Sequence, residues 1–389
     1  MKKKRLTIGI NASFIRKPNT GIGQVSLNFL RELIKLKNNT DFILYLEEDL
    51  PKEIKLSKEF QKKIFLPFYK RDDLIRKIWW EKFMLPRKVK KDKCDILISL
   101  YQCPTIICGI KHLMVVHDIV PKLFPEYLNN ARKELYQKLT ERAIKKADKI
   151  IAISKRTEKD LIQHLGISGE KISVNYIDVD EIYKKEISNE QSAKVLKKYK
   201  LKPGYIFAGG GYEVRKNAAG VIHAYKILYE RNKKENFIYE LPKLAIYGKL
   251  IPQLAPLATD AEKLIKELNL TKQIKLLGMT AQKDMPALFS NASMFVYPSY
   301  YEGFGMPVLE AMNLGTPVIA GKTSSLPEVG LDSILYCHPD DPEDIAMVMK
   351  NLLVKKHLRD DLFRRGLERA KIFSWEKFVG KILNIIENL

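Results

Sequence analysis

The stretch YIFAGGGYEVRKNAAGVIHAY, Tyr205–Tyr225, contains one complete unit of a fold. An apolar, strand-forming run leads into three glycines, Gly209–Gly211, and a helical pattern begins after Lys216. A buried strand that passes through a glycine loop into a helix is the repeating unit of a doubly wound parallel sheet. The stretch therefore predicts an α/β protein.

The same alternation of short apolar runs and helical patterns extends along nearly the whole chain. The first half contains the predicted strands LTIGI, DFILYL, KIFLPF, DILIS, LMVVH, KIIAIS and KISVNYI. The second half contains YIFAGG, KLAIYG, QIKLLG, MFVYPS, PVIAG and SILYC. This order predicts two Rossmann-like, doubly wound domains. We expect them to face each other across a cleft that holds a ligand at the carboxyl ends of both sheets.

The domain boundary is predicted at a polar, turn-like stretch, KEISNEQSAKVLKKYKLKPG. A chain of 389 residues exceeds the usual size of one hydrophobic core, so two domains are also expected from length. We place the N-terminal domain at residues 1–190 and the C-terminal domain at residues 195–370. The remaining segment, 371–389, is predicted to be a helix that packs back on the N-terminal domain.

Composition narrows the class of protein. No window approaches the roughly 18 to 20 unbroken apolar residues of a membrane span. The start, MKKKRLTIGINASF, predicts a first strand rather than a signal peptide. The four cysteines lack the paired spacing of a zinc site, which favours reduced thiols. We therefore expect a cytoplasmic protein.

The net charge of +22 raises the question of an anionic partner. Lys52–Lys93 contains 15 Lys+Arg against 6 Asp+Glu, and Trp79, Trp80 and Phe83 lie among them. Such a mixture is compatible with nucleic acid or with the inner face of an anionic membrane. It is equally compatible with a lysine-rich solvated surface, because charge alone does not specify a partner.

The glycine loop after Tyr205 predicts an anion site. Gly210 and its neighbours allow close backbone approach, and Arg215 and Lys216 stand just before a helix whose dipole favours negative charge. A phosphate-bearing ligand is one interpretation, and a glycine turn with two solvated bases is the other. The pattern G-x-G-x-x-G is absent, so a dehydrogenase fingerprint is not present.

A second loop, FVYPSYYEGFGMPVLEAM, repeats the arrangement. Pro307 suits the first turn of a helix, which would leave the backbone N–H groups of Phe304, Gly305 and Met306 to face an anion. Glu302 and Glu310 would repel phosphates unless bases neutralise the phosphate charge. Their carboxylates are suited to accept hydrogen bonds from hydroxyl groups, which favours a nucleotide sugar as the ligand.

These motifs together resemble one family. Glu302 and Glu310, with the seven residues between them, resemble the E-x7-E motif of family 4 glycosyltransferases, which are retaining enzymes with the two-domain GT-B fold. GGGYEVRKN resembles the Arg-Lys diphosphate site of that family, and GTPVIAGKTSSLPEVG its segment after the motif. NTGIGQVSLNFLREL, VVHDIVPKLFPEY and FSWEKF resemble the bacterial polysaccharide mannosyltransferase-like branch.

The resemblance implies a role for each matching residue in the C-terminal, donor-side domain. Glu302 would contact the transferred sugar, and Glu310 would contact the ribose of the nucleoside. Arg215 and Lys216 would bind the diphosphate and stabilise it as it leaves.

In the N-terminal, acceptor-side domain the resemblance implies that Gly21 and Gly23 bring backbone N–H groups to the diphosphate. His117 would touch the transferred sugar, and Asp118 would orient the loop. The branch commonly has Arg-Tyr after Gly-Ile-Gly, where this chain has Gln24 and Val25. The expected reaction is transfer of a hexose, with mannose from GDP-mannose favoured, to a growing cell-surface polysaccharide or lipid-linked glycan.

The sequence leaves other functions open. The chain could be another sugar-nucleotide enzyme of the same fold, such as an epimerase or a glucan-type synthase. It could also be a basic nucleic-acid-binding protein. The pair Asp178-x-Asp180 has the spacing of a metal site, but the resemblance places a connector there. With Arg215 and Lys216 available to the diphosphate, we expect no cofactor and no metal.

Overall fold

The computed structural model describes residues 5–36, 40–65, 74–251, 254 and 256–389. The chain divides into two compact units, Met1–Asp178 with Phe373–Leu389, and Val179–Ile372. The division after Asp178 precedes the boundary at 190–195 that the sequence suggests. The polar stretch that marks that boundary in the sequence includes a helix of the second unit, Asn189–Lys198.

The first unit is built on a parallel sheet of seven strands. The strands are β1 (Leu6–Asn11), β2 (Thr40–Leu46), β3 (Phe60–Ile64), β4 (Ile96–Ser99), β5 (Lys111–Val116), β6 (Lys149–Ala152) and β7 (Ile172–Val174). Their order in the sheet is β3-β2-β1-β4-β5-β6-β7. β3 begins earlier than the predicted KIFLPF, and Phe60 stacks on Phe42 of β2. The last three residues of that predicted strand lie outside the described residues.

Some helices of this unit begin where a side chain caps them. The helices are α1 (Gly21–Lys35), α2 (Leu74–Trp79), α3 (Leu85–Lys91), α4 (Val120–Leu123), α5 (Ala131–Lys146) and α6 (Lys155–Leu165), with a π-helical turn at Trp80–Met84. Ser154 caps α6, because its Oγ accepts from the Thr157 N–H at 3.0 Å. α5 begins at Ala131, because Asn130 provides the cap, its Oδ1 3.1 Å from the Lys133 nitrogen.

The second unit contains a parallel sheet of six strands. They are β8 (Tyr205–Gly209), β9 (Leu244–Tyr247), β10 (Ile274–Gly278), β11 (Ala292–Tyr297), β12 (Val318–Gly321) and β13 (Leu335–Cys337), in the order β10-β9-β8-β11-β12-β13. The helices are α7 (Asn189–Lys198), α8 (Ala218–Glu235), α9 (Ala261–Glu267), α10 (Met285–Ser290), α11 (Met306–Asn313), α12 (Leu326–Gly330), α13 (Pro342–Val354) and α14 (Lys356–Ala370). β8 and β11 are neighbours, so their carboxyl-end loops meet at one edge of the sheet.

The chain ends in α15 (Trp375–Glu387), which belongs to the first unit. Phe378 is fully buried, and its ring meets that of Phe29 on α1 edge to face at 6.3 Å. The Asn175 side-chain amide donates to the Phe378 carbonyl at 2.8 Å. Within the residues described here, no helix combines the length and the apolar character that crossing a membrane requires.

Candidate active site

Hydrogen bonds tie together the two loops that follow β8 and β11. The Tyr300 N–H donates to the Arg215 carbonyl at 2.8 Å. The Asn217 side-chain amide donates to the carbonyls of Pro298 at 3.2 Å and Pro339 at 2.7 Å. Asn217 also caps α8, because its Oδ1 accepts from the Gly220 N–H at 3.0 Å. The two predicted anion loops therefore form one site at the carboxyl edge of the sheet.

Glu302 lies at the centre of this site and is 8% exposed. Its Oε1 accepts from Lys216 Nζ at 2.7 Å and from Arg215 Nη1 at 3.3 Å. The hydroxyls of Tyr297 and Ser299 also donate to it, at 2.7 and 2.8 Å. The two bases predicted to bind a diphosphate thus converge on one of the two predicted hydroxyl-binding carboxylates.

The charges of this cluster balance one another. Burial on its own would raise the pKa of Glu302, but the charges of Lys216 and Arg215 outweigh it and lower this pKa to about 2. Burial lowers the pKa of Lys216, against the attraction of Glu302. Glu213 forms an ion pair with Arg215 at 2.7 Å. Two bases and two carboxylates therefore leave no net charge in the cluster.

Glu310 has the opposite electrostatic environment. It lies on α11, is 8% exposed, and burial raises its pKa to about 8. A hydrogen bond from Tyr183 lowers this pKa, whereas the neighbouring charge of Asp180 raises it. The Tyr183 hydroxyl in turn accepts from Gln282 Nε2 at 2.9 Å. At neutral pH the carboxyl group of Glu310 is therefore largely protonated, while that of Glu302 is ionised.

Glycine is required where the two loops turn. Gly305 caps α11 with φ of 100°, and a Cβ there would lie 2.6 Å from the side chain of Leu326. Gly210 has φ of 99°, and a Cβ there would meet the ring of Tyr297 at 3.0 Å. Phe304 is buried, and Met306 is the first residue of α11. All three predicted residues of this turn thus lie at the amino end of α11.

In the first unit, the structure places His117 and Asp118 directly after β5. His117 is buried, and its Nε2 lies 2.9 Å from the Leu100 carbonyl, so Nε2 carries the proton and donates it. Burial lowers the pKa of His117, although that bond and the charge of Asp118 raise it. Because the net effect is a lowered pKa, the imidazole is neutral at neutral pH. Asp118 Oδ1 accepts from the Val120 N–H at 3.0 Å.

Gly21 and Gly23 form the first turn of α1. Thr20 caps this helix, and its Oγ1 accepts from the Gly23 N–H at 3.2 Å. A Cβ on Gly23 would lie 1.9 Å from the Lys17 carbonyl oxygen, so only glycine fits. Gln24, at the position where the resemblance leads one to expect arginine, is buried and donates to the Pro18 carbonyl. Whether Gly21 and Gly23 meet a diphosphate stays a prediction.

Sequence reasoning missed several residues that hold the site. Tyr297 and Ser299 complete the shell of Glu302, and Tyr183 with Asp180 surrounds Glu310. Tyr297 and Ser299 end the predicted strand MFVYPS. Their position at the carboxyl edge of the sheet is a signal that could have predicted a place in the site. Tyr183 carries no such signal, because it lies in the connector after β7.

That connector contains the discounted pair Asp178-x-Asp180. Asp178 is fully buried, and Asp180 Oδ1 accepts from the Ile182 N–H at 3.1 Å as a helix cap. Among the described residues, no group of three or more His, Cys, Asp or Glu side chains is placed to hold a metal ion. The absence of a cofactor stays a prediction.

Comparison with known proteins identifies the class to which this fold and site belong. The family model described as Glycosyltransferase Family 4 matches residues 19–181, and the one described as Glycosyl transferases group 1 matches residues 188–369. Together they span both units apart from the chain ends and residues 182–187. The chain is thus a glycosyltransferase, and it belongs to family 4.

Individual proteins are similar to this chain, in sequence or in structure, over nearly their whole length. The O-antigen chain mannosyltransferase B of Escherichia coli is 28% identical over 95% of this chain and 96% of its own. The lipopolysaccharide glycosyltransferase WaaG superposes with a TM-score of 0.73 at 16% identity, over 98% of this chain and 99% of its own. Anabaena HepE in complex with UDP and glucose superposes with a TM-score of 0.72 at 17% identity, over 99% of this chain and 100% of its own. The two structures confirm the predicted GT-B class of fold.

Substitution of Glu302 tests the neutral cluster. Glu302→Gln removes one negative charge beside Lys216 and Arg215, so we expect GDP to bind about three- to tenfold more tightly while sugar transfer slows. Lys216→Met should weaken GDP binding by on the order of 1.5–3 kcal/mol. Calorimetry with GDP measures both, with Glu262→Gln, an exposed change in the same unit, as control. Weaker GDP binding by Glu302→Gln than by the wild type would contradict this account.

The raised pKa of Glu310 predicts a pH dependence of stability. The folded protein keeps a proton up to about pH 8 that the unfolded chain releases near 4.5, so stability falls as pH rises between these values. Relative to that of Glu310→Gln, the free energy of unfolding of the wild type should fall by on the order of 1 kcal/mol per pH unit across this window. Chemical denaturation at pH 5, 6.5 and 8 measures it, with exposed Glu267→Gln as control. Equal slopes for the wild type and Glu310→Gln would rule it out.

Proposed function

We propose that this glycosyltransferase moves a mannosyl residue from GDP-mannose to a growing cell-surface polysaccharide or lipid-linked glycan, with retention of anomeric configuration and without a metal. The observation that carries the donor part of this proposal is the Glu302 cluster, where two bases and a sugar-compatible carboxylate converge. The choice of mannose and of a polysaccharide rests on the full-length similarity to a protein named O-antigen chain mannosyltransferase B.

Binding of the diphosphate would rearrange the cluster. Arg215 and Lys216 would turn from Glu302 to the phosphate oxygens, supported by the amino end of α11 and the close backbone approach at Gly210. Glu302 would then lose its two cationic partners and accept hydrogen bonds from hydroxyls of the transferred sugar. The incoming diphosphate thus replaces an internal anion, and the site needs no metal to hold it.

Glu310 would bind the ribose of the nucleoside. A protonated carboxyl group can donate one hydrogen bond and still accept others, so it matches a pair of sugar hydroxyls that each do both. Tyr183 would hold the carboxyl group in place through its hydrogen bond. Because no base lies in direct contact with Glu310 among the contacts of the described residues, a neutral ligand group suits it better than a phosphate.

The chemical step would rely on positioning and electrostatics. Arg215 and Lys216 would stabilise negative charge on the departing diphosphate. The acceptor hydroxyl would attack the same face of the sugar and give its proton to a phosphate oxygen of that diphosphate. Glu302 would serve hydroxyl binding rather than covalent catalysis, because the Tyr297 and Ser299 hydroxyls still donate to its Oε1 after the two bases turn to the diphosphate. The neutral imidazole of His117, with Asp118 beside it, would contact the transferred sugar as the resemblance implies.

A donor panel tests this function. Purified protein with α-mannobiose as acceptor should release GDP from GDP-mannose much faster than UDP from UDP-glucose, and Lys216→Met should abolish most of the release. NMR of the product should show an α-linkage from the α-donor. Faster use of UDP-glucose would contradict the assignment of GDP-mannose as the donor. An inverted linkage would contradict retention of anomeric configuration. Isomerised nucleotide sugar without transfer would indicate an epimerase.

We further infer that the first unit binds the surface of an anionic membrane. Ile75, Trp79 and Phe83 are 51%, 50% and 43% exposed. With exposed Arg87 and Lys91 they recur every four residues along the helical run from Leu74 to Lys91. An apolar stripe that continues into basic residues suits an interface of acyl chains and anionic headgroups.

The other predicted aromatic of this region, Trp80, is a core residue and stacks on Phe65. Part of the basic region Lys52–Lys93, residues 66–73, lies outside the described residues. The membrane proposal therefore rests on Ile75, Trp79 and Phe83 and the bases that follow them.

Vesicle sedimentation tests the membrane proposal. The wild type should pellet with vesicles that contain phosphatidylglycerol and much less with pure phosphatidylcholine, and added salt should release it. The double variant Trp79→Ser, Phe83→Ser should lose most of this binding. Ile162→Ser, which changes an exposed apolar residue elsewhere in the same unit, is the control. Pelleting that ignores lipid charge, or that survives in the double variant, would refute the inference.

A further inference from the structure

A third loop, between β12 and α12, reaches the Glu302 site. It carries three successive hydroxyl residues, Thr323, Ser324 and Ser325, within the segment GTPVIAGKTSSLPEVG. β12 pairs with β11 in the parallel sheet, so this loop leaves the same carboxyl edge as the loop that contains Glu302. Side chains that can each donate and accept a hydrogen bond therefore stand beside the β11 loop.

Two of these hydroxyls bracket the backbone of Glu302. The Glu302 N–H donates to Ser324 Oγ at 2.9 Å, and the Glu302 carbonyl accepts from Ser325 Oγ at 2.9 Å. Ser325 is fully buried, whereas Ser324 is half-buried. Because each peptide group is planar, holding the peptides on both sides of Glu302 also fixes the direction in which its side chain leaves the backbone.

The residues around these two serines extend the contact along the β11 loop. Thr323 Oγ1 donates to the Ser299 carbonyl at 2.6 Å, and the Ser299 hydroxyl lies 2.8 Å from Glu302 Oε1. Leu326 is fully buried, and its side chain lies against Gly305. The β12 loop therefore contacts the chain before Glu302, at Glu302 and after it.

The backbone of the hydroxyl triplet is shaped for these contacts. Ser324 has φ of 51°, in the left-handed region that a residue other than glycine seldom adopts. Such a conformation persists where the surrounding structure determines it. The hydrogen bonds of Thr323 and Ser325 to the β11 loop hold the chain on either side of Ser324. In this conformation, three successive hydroxyls all meet the same loop.

We propose that Ser324 and Ser325 are positioning residues of this enzyme, which place the Glu302 carboxylate for its contact with the transferred sugar. That contact itself rests on the proposed function. When Arg215 and Lys216 turn to a diphosphate, Glu302 loses its two cationic partners. The two serine hydroxyls bind the backbone of Glu302 and not its charge, so their bonds stay. They hold Glu302 at the stage at which the sugar binds.

Steady-state kinetics of the double variant Ser324→Ala, Ser325→Ala test the proposal, with α-mannobiose as acceptor and whichever of GDP-mannose and UDP-glucose the wild type uses faster. We expect kcat to fall at least about tenfold, because misplacing a sugar-binding group slows turnover. GDP should bind at least as tightly as to the wild type, because both bases remain. If the double variant does not fold, Ser324→Ala gives the same comparison with a loss of about threefold.

Ser293→Ala is the matched control for these variants. Ser293 lies near the amino end of β11, and its hydroxyl donates to the Tyr205 carbonyl at 3.1 Å. The control therefore removes the same kind of bond from the same strand, at the end away from Glu302. Its kcat should equal that of the wild type. A loss of kcat as large as that of the double variant would overturn the positioning role.

The same serine changes in the Glu302→Gln background separate positioning from general support of the fold. If the serines act through the carboxylate, they should lower kcat by about twofold or less in that background, because it has no carboxylate to place. An equal loss of kcat in both backgrounds overturns the proposal. A GDP affinity that falls in step with kcat also overturns it.

Crystal structures of the wild type and the double variant supply a measure that needs no donor. The distance from Lys216 Nζ to Glu302 Oε1, 2.7 Å here, should lengthen by about 1 Å or more in the variant. An unchanged distance overturns the proposal. If the wild type transfers sugar from neither donor while the carboxylate moves in the variant, the proposed function fails and the placement of Glu302 by the two serines stands.

Discussion

The hydrogen bonds from Lys216 and Arg215 to the buried carboxylate of Glu302 are the interaction on which the candidate site of the second unit depends. A buried carboxylate without cations would be strongly destabilising, and so would two buried bases without an anion. The pairing explains why the loops after β8 and β11 are tied to each other by several hydrogen bonds. It also means that the charges of the site are balanced without a ligand, so any phosphate that binds there must replace an existing partner of the two bases.

The two glutamates of one short motif illustrate how position changes chemistry. Glu302 precedes α11 and meets two cations, whereas Glu310 lies on α11 and meets Tyr183 and the charge of Asp180. The first is therefore ionised at neutral pH, and the second is largely protonated. An ionised carboxylate only accepts hydrogen bonds, whereas a protonated carboxyl group both donates and accepts them. The two glutamates therefore suit different hydroxyl-bearing groups, such as the two sugars of a nucleotide sugar.

The first unit also contains a buried carboxylate with several partners. Glu81 is buried like Glu302, but it accepts hydrogen bonds from two tyrosine hydroxyls rather than from two bases. Its hydrogen bonds hold the rings of Tyr101 and Tyr136, which line a cavity together with Asp118. In both units a buried carboxylate thus fixes the side chains around it.

Local sequence determined the strands, most of the helices and the family. Hydrophobic alternation depends on near neighbours, and glycines such as Gly23 and Gly305 are needed by local turns, so these features can be read without a structure. The bounds of α5 and β3 were less predictable, because a single cap or a cross-strand ring contact shifts them. Only the tertiary structure decided that Trp80 is buried while Trp79 is exposed, that Lys216 already holds Glu302, and that Tyr183 reaches Glu310. Protonation and burial depend on side chains that other elements bring together, and no local pattern records those distances.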